Sequence, residues 1–165
     1  MEAGTVYHSI PPVYDENSRV LLLGTMPSPK SREAGFFYGH PQNRMWKVLA
    51  GVFGAETPTG IEERRAFLQK HHIAMWDVLS ACEIRGADDN SIKNATPNDI
   101  RRILDAAPIA AIFTSGKKAF SLYNRYLLPQ TGREAVSLPS TSPANCRYET
   151  VETLTAAYGI LREYV

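Results

Sequence analysis

Short apolar runs closed by turn residues alternate along this chain with longer stretches of helical period. Val20-Leu21-Leu22-Leu23, ending at Gly24, reads as a strand buried on both faces, since a strand covered on one side would alternate apolar with polar positions. Residues 73–78, 109–113 and 135–138 repeat the pattern. Asn43 stands before Arg44-Met45-Trp46-Lys47-Val48-Leu49, which predicts a helix ending near Gly51 or Gly54, and a second helix is expected over residues 61–71. In Thr96-Pro97-Asn98-Asp99 a capping threonine is followed by proline at the first helical position and an acid at the third, which predicts a helix through Ala106. Further helices are expected over residues 117–127 and 148–162. Strands alternating with helices imply right-handed crossovers and a sheet covered on both sides. The expected fold is therefore α/β: a three-layer α/β/α sandwich around a central, mainly parallel sheet of about four strands, with residues 1–165 in a single domain.

In open sheets of this kind ligands bind beyond the carboxyl ends of the strands. The segments leaving those ends are residues 25–42, 79–95, 114–116 and 139–147. The first holds three prolines, two glycines and no helical period, which is long for a structureless loop in a compact domain and makes it a candidate binding segment. Net charge is only +1, yet residues 30–47 sum to +3 and residues 115–147 to +4. Two of the rim segments lie in these basic windows, although scattered solvated side chains would give the same sums.

Apolar residues at 44% and charged residues at 21% exclude a disordered chain and a coiled coil. No apolar run reaches the roughly 18 residues of a spanning helix, and the N-terminus lacks the basic and apolar regions of a signal peptide. A soluble, unexported, cytoplasmic protein is expected. Cys82 and Cys146 are too few for a disulfide scaffold, a four-thiolate zinc site or an iron–sulfur cluster, and adjacent His71 and His72 do not share a helical face, so no metal is expected. Neither a GxxxxGK[ST] loop nor a GxGxxG follows a strand. Ser115-Gly116-Lys117-Lys118 spells SxxK at a strand-to-helix turn, where Lys118 could activate Ser115, but no companion SDN or KTG occurs. Cys82 reads as a small buried hydrophobe, and Asp88 and Asp89 as turn caps.

Phe36, Phe37 and Tyr38 in a glycine-flanked loop cannot all be core residues, so one ring is expected to face the cleft, where it would suit a flat ligand. Asn43 at a helix start can cap backbone N–H groups or serve the cleft. The run His40-Pro41-Gln42-Asn43-Arg44-Met45-Trp46, preceded by Gly24-x-x-Pro27 and followed by Leu138-Pro139-Ser140-Thr141-Ser142-Pro143-Ala144-Asn145, resembles the uracil-DNA glycosylase superfamily. Within it the chain most resembles the hypoxanthine-DNA (deoxyinosine) glycosylase branch, and the similarity extends through Val78-Leu79, Cys82, Arg85-Gly86 and Asp88-Asp89.

The resemblance implies a monofunctional base-excision repair enzyme that flips a deaminated base out of DNA and hydrolyses its N-glycosyl bond. Asn43 matches the branch's catalytic asparagine, expected to orient the attacking water, and Tyr38 matches the stacking aromatic. Gly24, Thr25, Met26, Pro27, His40, Ser115, Ser140 and Ser142 would surround the base. Ser28, Lys30, Ser31, Arg44, Lys117, Pro143, Asn145 and Arg147 would lie along the DNA. No metal or organic cofactor is implied, the partner is DNA carrying deaminated bases, and the protein is expected to be monomeric. No lysine occupies a matched catalytic position, so neither a Schiff base nor strand cleavage is expected.

Two departures shape the substrate expectation. Other branches carry asparagine, aspartate or glutamate two residues after the first glycine, where this chain has the inert Met26. The second segment begins Leu138-Pro139-Ser140 and lacks the histidine of the strongest uracil-removing enzymes. An amide orients water but cannot take its proton at neutral pH, so base lability must supply much of the driving force. Hypoxanthine is the expected substrate, with weaker activity on uracil. A protein that kept the fold, binds nucleic acid or nucleotides and lost the chemistry is the alternative.

Overall fold

The computed structural model describes residues 4–145 and 148–165. Along the chain run β1 (Gly4–Tyr7), β2 (Val20–Gly24), α1 (Pro29–Ala34), α2 (Met45–Phe53), α3 (Gly60–Lys70), β3 (Ile73–Asp77), β4 (Leu79–Arg85), β5 (Asp88–Pro97), α4 (Arg101–Ala106), β6 (Ala111–Ser115), α5 (Lys117–Leu122), α6 (Leu128–Thr131), β7 (Ala135–Leu138) and α7 (Val151–Tyr158). Four strands form a sheet in the order β3-β2-β6-β7, and every neighbouring pair is parallel. All residues of β2 and β3 are buried, which is why their sequences run apolar without alternation. Helices flank this sheet: α3 packs on β3, α5 on β6 and β7, and α2 against α7. No helix among the described residues is long and apolar enough to cross a membrane.

The segment after β2 is not structureless. Ser28 accepts a hydrogen bond from the Ser31 N–H and Gly35 closes α1 at φ 79, but a six-residue helix is too short to show a period in sequence. Phe36 and Phe37 then turn into the core, and the Trp46 indole N–H donates to the Phe37 carbonyl at 3.3 Å, fastening the loop to α2.

Residues 79–95, expected only as a segment leaving a strand end, form a hairpin. β1, β4 and β5 make a second, antiparallel sheet that hydrophobic patterning did not show. β5 is mostly exposed and carries asparagine, serine and lysine, so main-chain pairing rather than side-chain preference defines it. The helix expected from Thr96 starts at Arg101, because Thr96 and Pro97 still pair with β4. Asn98 is buried and donates through Nδ2 to the carbonyls of Asp77 and Leu79 at 2.9 and 3.0 Å, which holds the backbone away from helical geometry. Beyond α5 the helix runs through a π turn, Tyr123–Leu127, into α6, longer than expected, and the wider turn accommodates Pro129. The last helix begins later than expected, at Val151 behind a Thr150 capping box, and tightens into a 3₁₀ turn, Gly159–Glu163.

Candidate active site

Because all four strands of the larger sheet are parallel, Gly24, Asp77, Ser115 and Leu138 end on one rim. The chain reverses its direction of travel across the sheet between β2 and β6, the crevice where such sheets bind ligands. A cavity of about 320 Å³ lies there. That is the small end of the roughly 300–1,000 Å³ range of ligand pockets, and it suits one nucleobase.

The cavity gathers the residues expected around a base. Gly24, Thr25, Met26, Pro27, Tyr38, His40, Ser115, Ser140 and Ser142 line it, together with Asn43, Ser28, Ser31 and Pro143. Lys30, Arg44, Lys117 and Asn145 are not among its lining residues. Lys30 is exposed beside Glu33 at 3.7 Å, and Lys117 is exposed at the start of α5. Arg44 is engaged within the protein, its guanidinium donating to the carbonyls of Glu149 and, at 3.1 Å, Ser142. Asn145 likewise donates to the Ser140 carbonyl at 2.9 Å. These two residues set the shape of the loop after β7. Arg147, expected along the DNA, lies outside the described residues.

Asn43 precedes the N-cap residue Arg44, holds the first N–H of α2 and lines the cavity. Its Oδ1 accepts from the Met45 backbone N–H at 2.9 Å and from the Thr141 hydroxyl at 2.8 Å. An N–H donor on Oδ1 fixes which end of the amide is oxygen, so both acceptor sites are occupied and the two Nδ2 donors have no partner among the described residues. Met26 lines the same cavity and offers no hydrogen-bonding group beyond a weak thioether acceptor. His40 Nδ1 accepts from the Gln42 N–H at 3.0 Å, which leaves its proton on Nε2 when neutral.

Around the loop after β7, the Ser140 hydroxyl accepts from the Ser142 N–H at 3.1 Å and the Ser142 hydroxyl from the Ala144 N–H at 3.2 Å. Those backbone N–H groups are spent, and among the described residues the two hydroxyl protons have no acceptor and remain to donate. Tyr158 donates to the Pro139 carbonyl at 2.7 Å, so at 2.8 Å from Ser115 Oγ it must accept the Ser115 proton. Ser115 makes no hydrogen bond to Lys118 among the described residues, so the serine–lysine pairing is not assembled.

The floor holds groups that sequence patterning passed over. Asp77, at the end of β3, is buried and lines the cavity, and its Oδ2 lies 2.8 Å from Nε2 of His8, whose imidazole is almost wholly inaccessible. Asp77 Oδ1 accepts no hydrogen bond among the described residues. Tyr38 stands at φ 52, an uncommon conformation for a non-glycine residue, and its buried hydroxyl has no hydrogen-bond partner among the described residues. Burial first, and then the Asp77 charge, hold that phenol well above its usual range, so it stays protonated; the Ser115 hydroxyl stands near enough to oppose the shift slightly, though not at hydrogen-bond geometry. A side chain at Gly24 would put its Cβ 2.5 Å from Asp77 Oδ1 and 3.0 Å from the Tyr38 hydroxyl, so only glycine fits.

The β4–β5 hairpin supplies a further wall through Ile84, Gly86, Ala87 and Asp89. Asp89 is exposed as a residue, but desolvation of its carboxyl at the cavity, with smaller contributions from Asp77 and Asp88, pushes it up to about 6 against the opposing pull of Lys118. Cys82 is buried, and burial raises its thiol.

Comparison with known proteins settles the family. The uracil DNA glycosylase superfamily model matches residues 11–162. The chain belongs to that superfamily. It is 33% identical to the hypoxanthine DNA glycosylase of Methanosarcina barkeri over 139 residues, covering 83% of this chain and 87% of that protein. The hypoxanthine DNA glycosylase of Methanosarcina acetivorans is 32% identical over 145 residues, covering 87% and 90%. The solution NMR structure of a candidate uracil DNA glycosylase from Methanosarcina acetivorans superposes with a TM-score of 0.79 at 30% identity, covering 94% of this chain and 98% of that one. By family the chain is a DNA glycosylase, a hydrolase of N-glycosyl bonds.

Proposed function

We propose that this protein excises deaminated bases from DNA, hypoxanthine foremost and uracil more weakly, as a monomer without metal or organic cofactor. The observation that carries the reading is a base-sized cavity on the carboxyl-end rim, lined by Asn43, whose Nδ2 donors are unspent among the described residues. The likeness to two hypoxanthine DNA glycosylases supports the choice of base.

Extrusion from the stack delivers the base to the cavity, whose walls offer apolar surface and whose rim offers polar groups. Cleavage builds positive charge on the sugar and negative charge on the departing base. The hydroxyl protons of Ser140 and Ser142 meet the negative charge. Asn43 holds water by donating from Nδ2 to its oxygen, leaving a lone pair for the anomeric carbon. No strong base is needed at that moment, because an oxocarbenium-like sugar accepts neutral water; the oxonium then loses its proton to solvent and the base anion takes one up, so the net products are the abasic sugar and the neutral base. Lys117, on an exposed helix start, is free to meet a phosphate.

A panel of duplexes carrying hypoxanthine, uracil, xanthine or a thymine mispair, with alkaline detection of abasic sites, tests the proposal. Cleavage is expected for hypoxanthine and, more slowly, uracil. Tight binding with no abasic site on any member would instead select the binding protein that the inert Met26 suggests.

A further inference from the structure

Deamination of adenine reverses polarity along one base edge. Adenine presents a bare N1 acceptor beside an amino donor, whereas hypoxanthine presents an N1–H donor beside a C6 carbonyl acceptor. An enzyme working in a vast excess of adenine must read that reversal. An ionised carboxylate is suited to it, because it accepts hydrogen bonds and never donates.

We infer that Asp77, held by His8, and Tyr38 form an acceptor–donor pair that reads the N–H and C=O edge of the flipped base and refuses adenine. This rests on the proposed base excision and names its selectivity. His8 reaches from beyond β1 to occupy Asp77 Oδ2 at 2.8 Å, with the side chains only 3% and 6% exposed, so the carboxyl is fixed in rotation. Oδ1 is left without a protein donor, and the buried Tyr38 hydroxyl without an acceptor, among the described residues. Both atoms converge above Gly24, where any side chain would cover them, and all three residues line the cavity. A tie between β3 and the N-terminal segment would account for Oδ2 but not for an open Oδ1 facing an unpartnered hydroxyl.

In the complex Oδ1 accepts from N1–H, and the phenol donates to the C6 carbonyl, where leaving-group charge also accumulates. With adenine Oδ1 would face a nitrogen lone pair and stay buried without a donor. The N3–H and C4 carbonyl of uracil have the same polarity. Guanine shares the hypoxanthine edge, so this pair does not exclude it, and its 2-amino group must be refused elsewhere.

The test compares single-turnover excision of hypoxanthine with that of N1-methylhypoxanthine at the same position in DNA. The methyl group removes the N–H and leaves the carbonyl. Wild-type protein should prefer hypoxanthine by at least about tenfold, since a site built around a donor rejects an analogue lacking it. In Asp77→Ala the preference should fall to about twofold or less. His8→Ala should lower it, and His8→Gln, which can still donate to Oδ2, should restore it. Equal rates on the two bases with wild-type protein would overturn the inference without any variant having to fold, as would an undiminished preference in Asp77→Ala. Failure of the wild-type protein to excise any deaminated base would overturn the proposed function and this inference together.

Discussion

Asn43→Asp separates helix capping from the proposed hold on water, both of which fall to one amide. The substitution keeps an oxygen for the Met45 N–H and the Thr141 hydroxyl and deletes both Nδ2 donors. Stability should barely change: an anion beside the first N–H of α2 is worth about 0.3–1 kcal/mol in favour of the fold, set against the cost of partly burying it. For a chain of this size that keeps the unfolding midpoint within about 4 °C. Catalysis should fall, because loss of one donor aimed into a reacting centre costs roughly 10²–10³ in rate. Asn43→Ala loses the cap as well, so it should combine a similar rate loss with about 0.5–2 kcal/mol of destabilisation while still binding DNA. Single-turnover excision on an inosine duplex, beside thermal unfolding of the same preparations, gives both numbers. Excision by Asn43→Asp at or above the wild-type rate would refute the donor role, since it would mean that the position works by accepting a proton from water.

Lys117→Ala should reduce the slope of log affinity against log salt by about 0.9, one phosphate contact, while Arg44→Ala, whose guanidinium is held by the Glu149 and Ser142 carbonyls, should leave the slope unchanged; DNA binding at several salt concentrations distinguishes them. Gly24→Ala should abolish excision and lower the unfolding midpoint, because its Cβ would lie 2.5 Å from Asp77 Oδ1; a variant with normal activity would contradict the close approach. The raised Asp89 carboxyl, about 6 against an ordinary 3.8, binds its proton more tightly in the folded protein. Its contribution to stability is therefore complete at low pH and is lost as pH rises through about 6, so the wild-type midpoint should fall relative to Asp89→Asn across that window; a difference independent of pH would contradict the assignment.

What could be read from sequence is what depends on local pattern. β2 and β3 announced themselves because both faces are buried, and the rim followed from strand ends and connecting segments. Asn43, Tyr38 and the loop after β7 came from motif resemblance, and the structure brings them to one cavity. The antiparallel sheet was hidden because β5 is polar and largely exposed, with pairing partners that no local pattern specifies. Thr96-Pro97 carried a sound helix-start signal that long-range bonds from Asn98 overrode. Asp77 and His8 stand 69 positions apart and neither belongs to a spaced motif, so only the pairing of β4 with β1 and of β3 with β2 reveals them as neighbours. One signal was available: a carboxylate at the end of an otherwise apolar strand, on the rim where ligands bind.

The most direct measurement is chemical identification of what leaves the DNA. Wild-type protein incubated with an inosine-containing duplex should release free hypoxanthine, resolved by chromatography and mass, and leave an unbroken strand with an alkali-labile site. Recovery of intact inosine strands, or of hypoxanthine still attached to a cleaved fragment, would contradict hydrolysis of the glycosyl bond in this cavity.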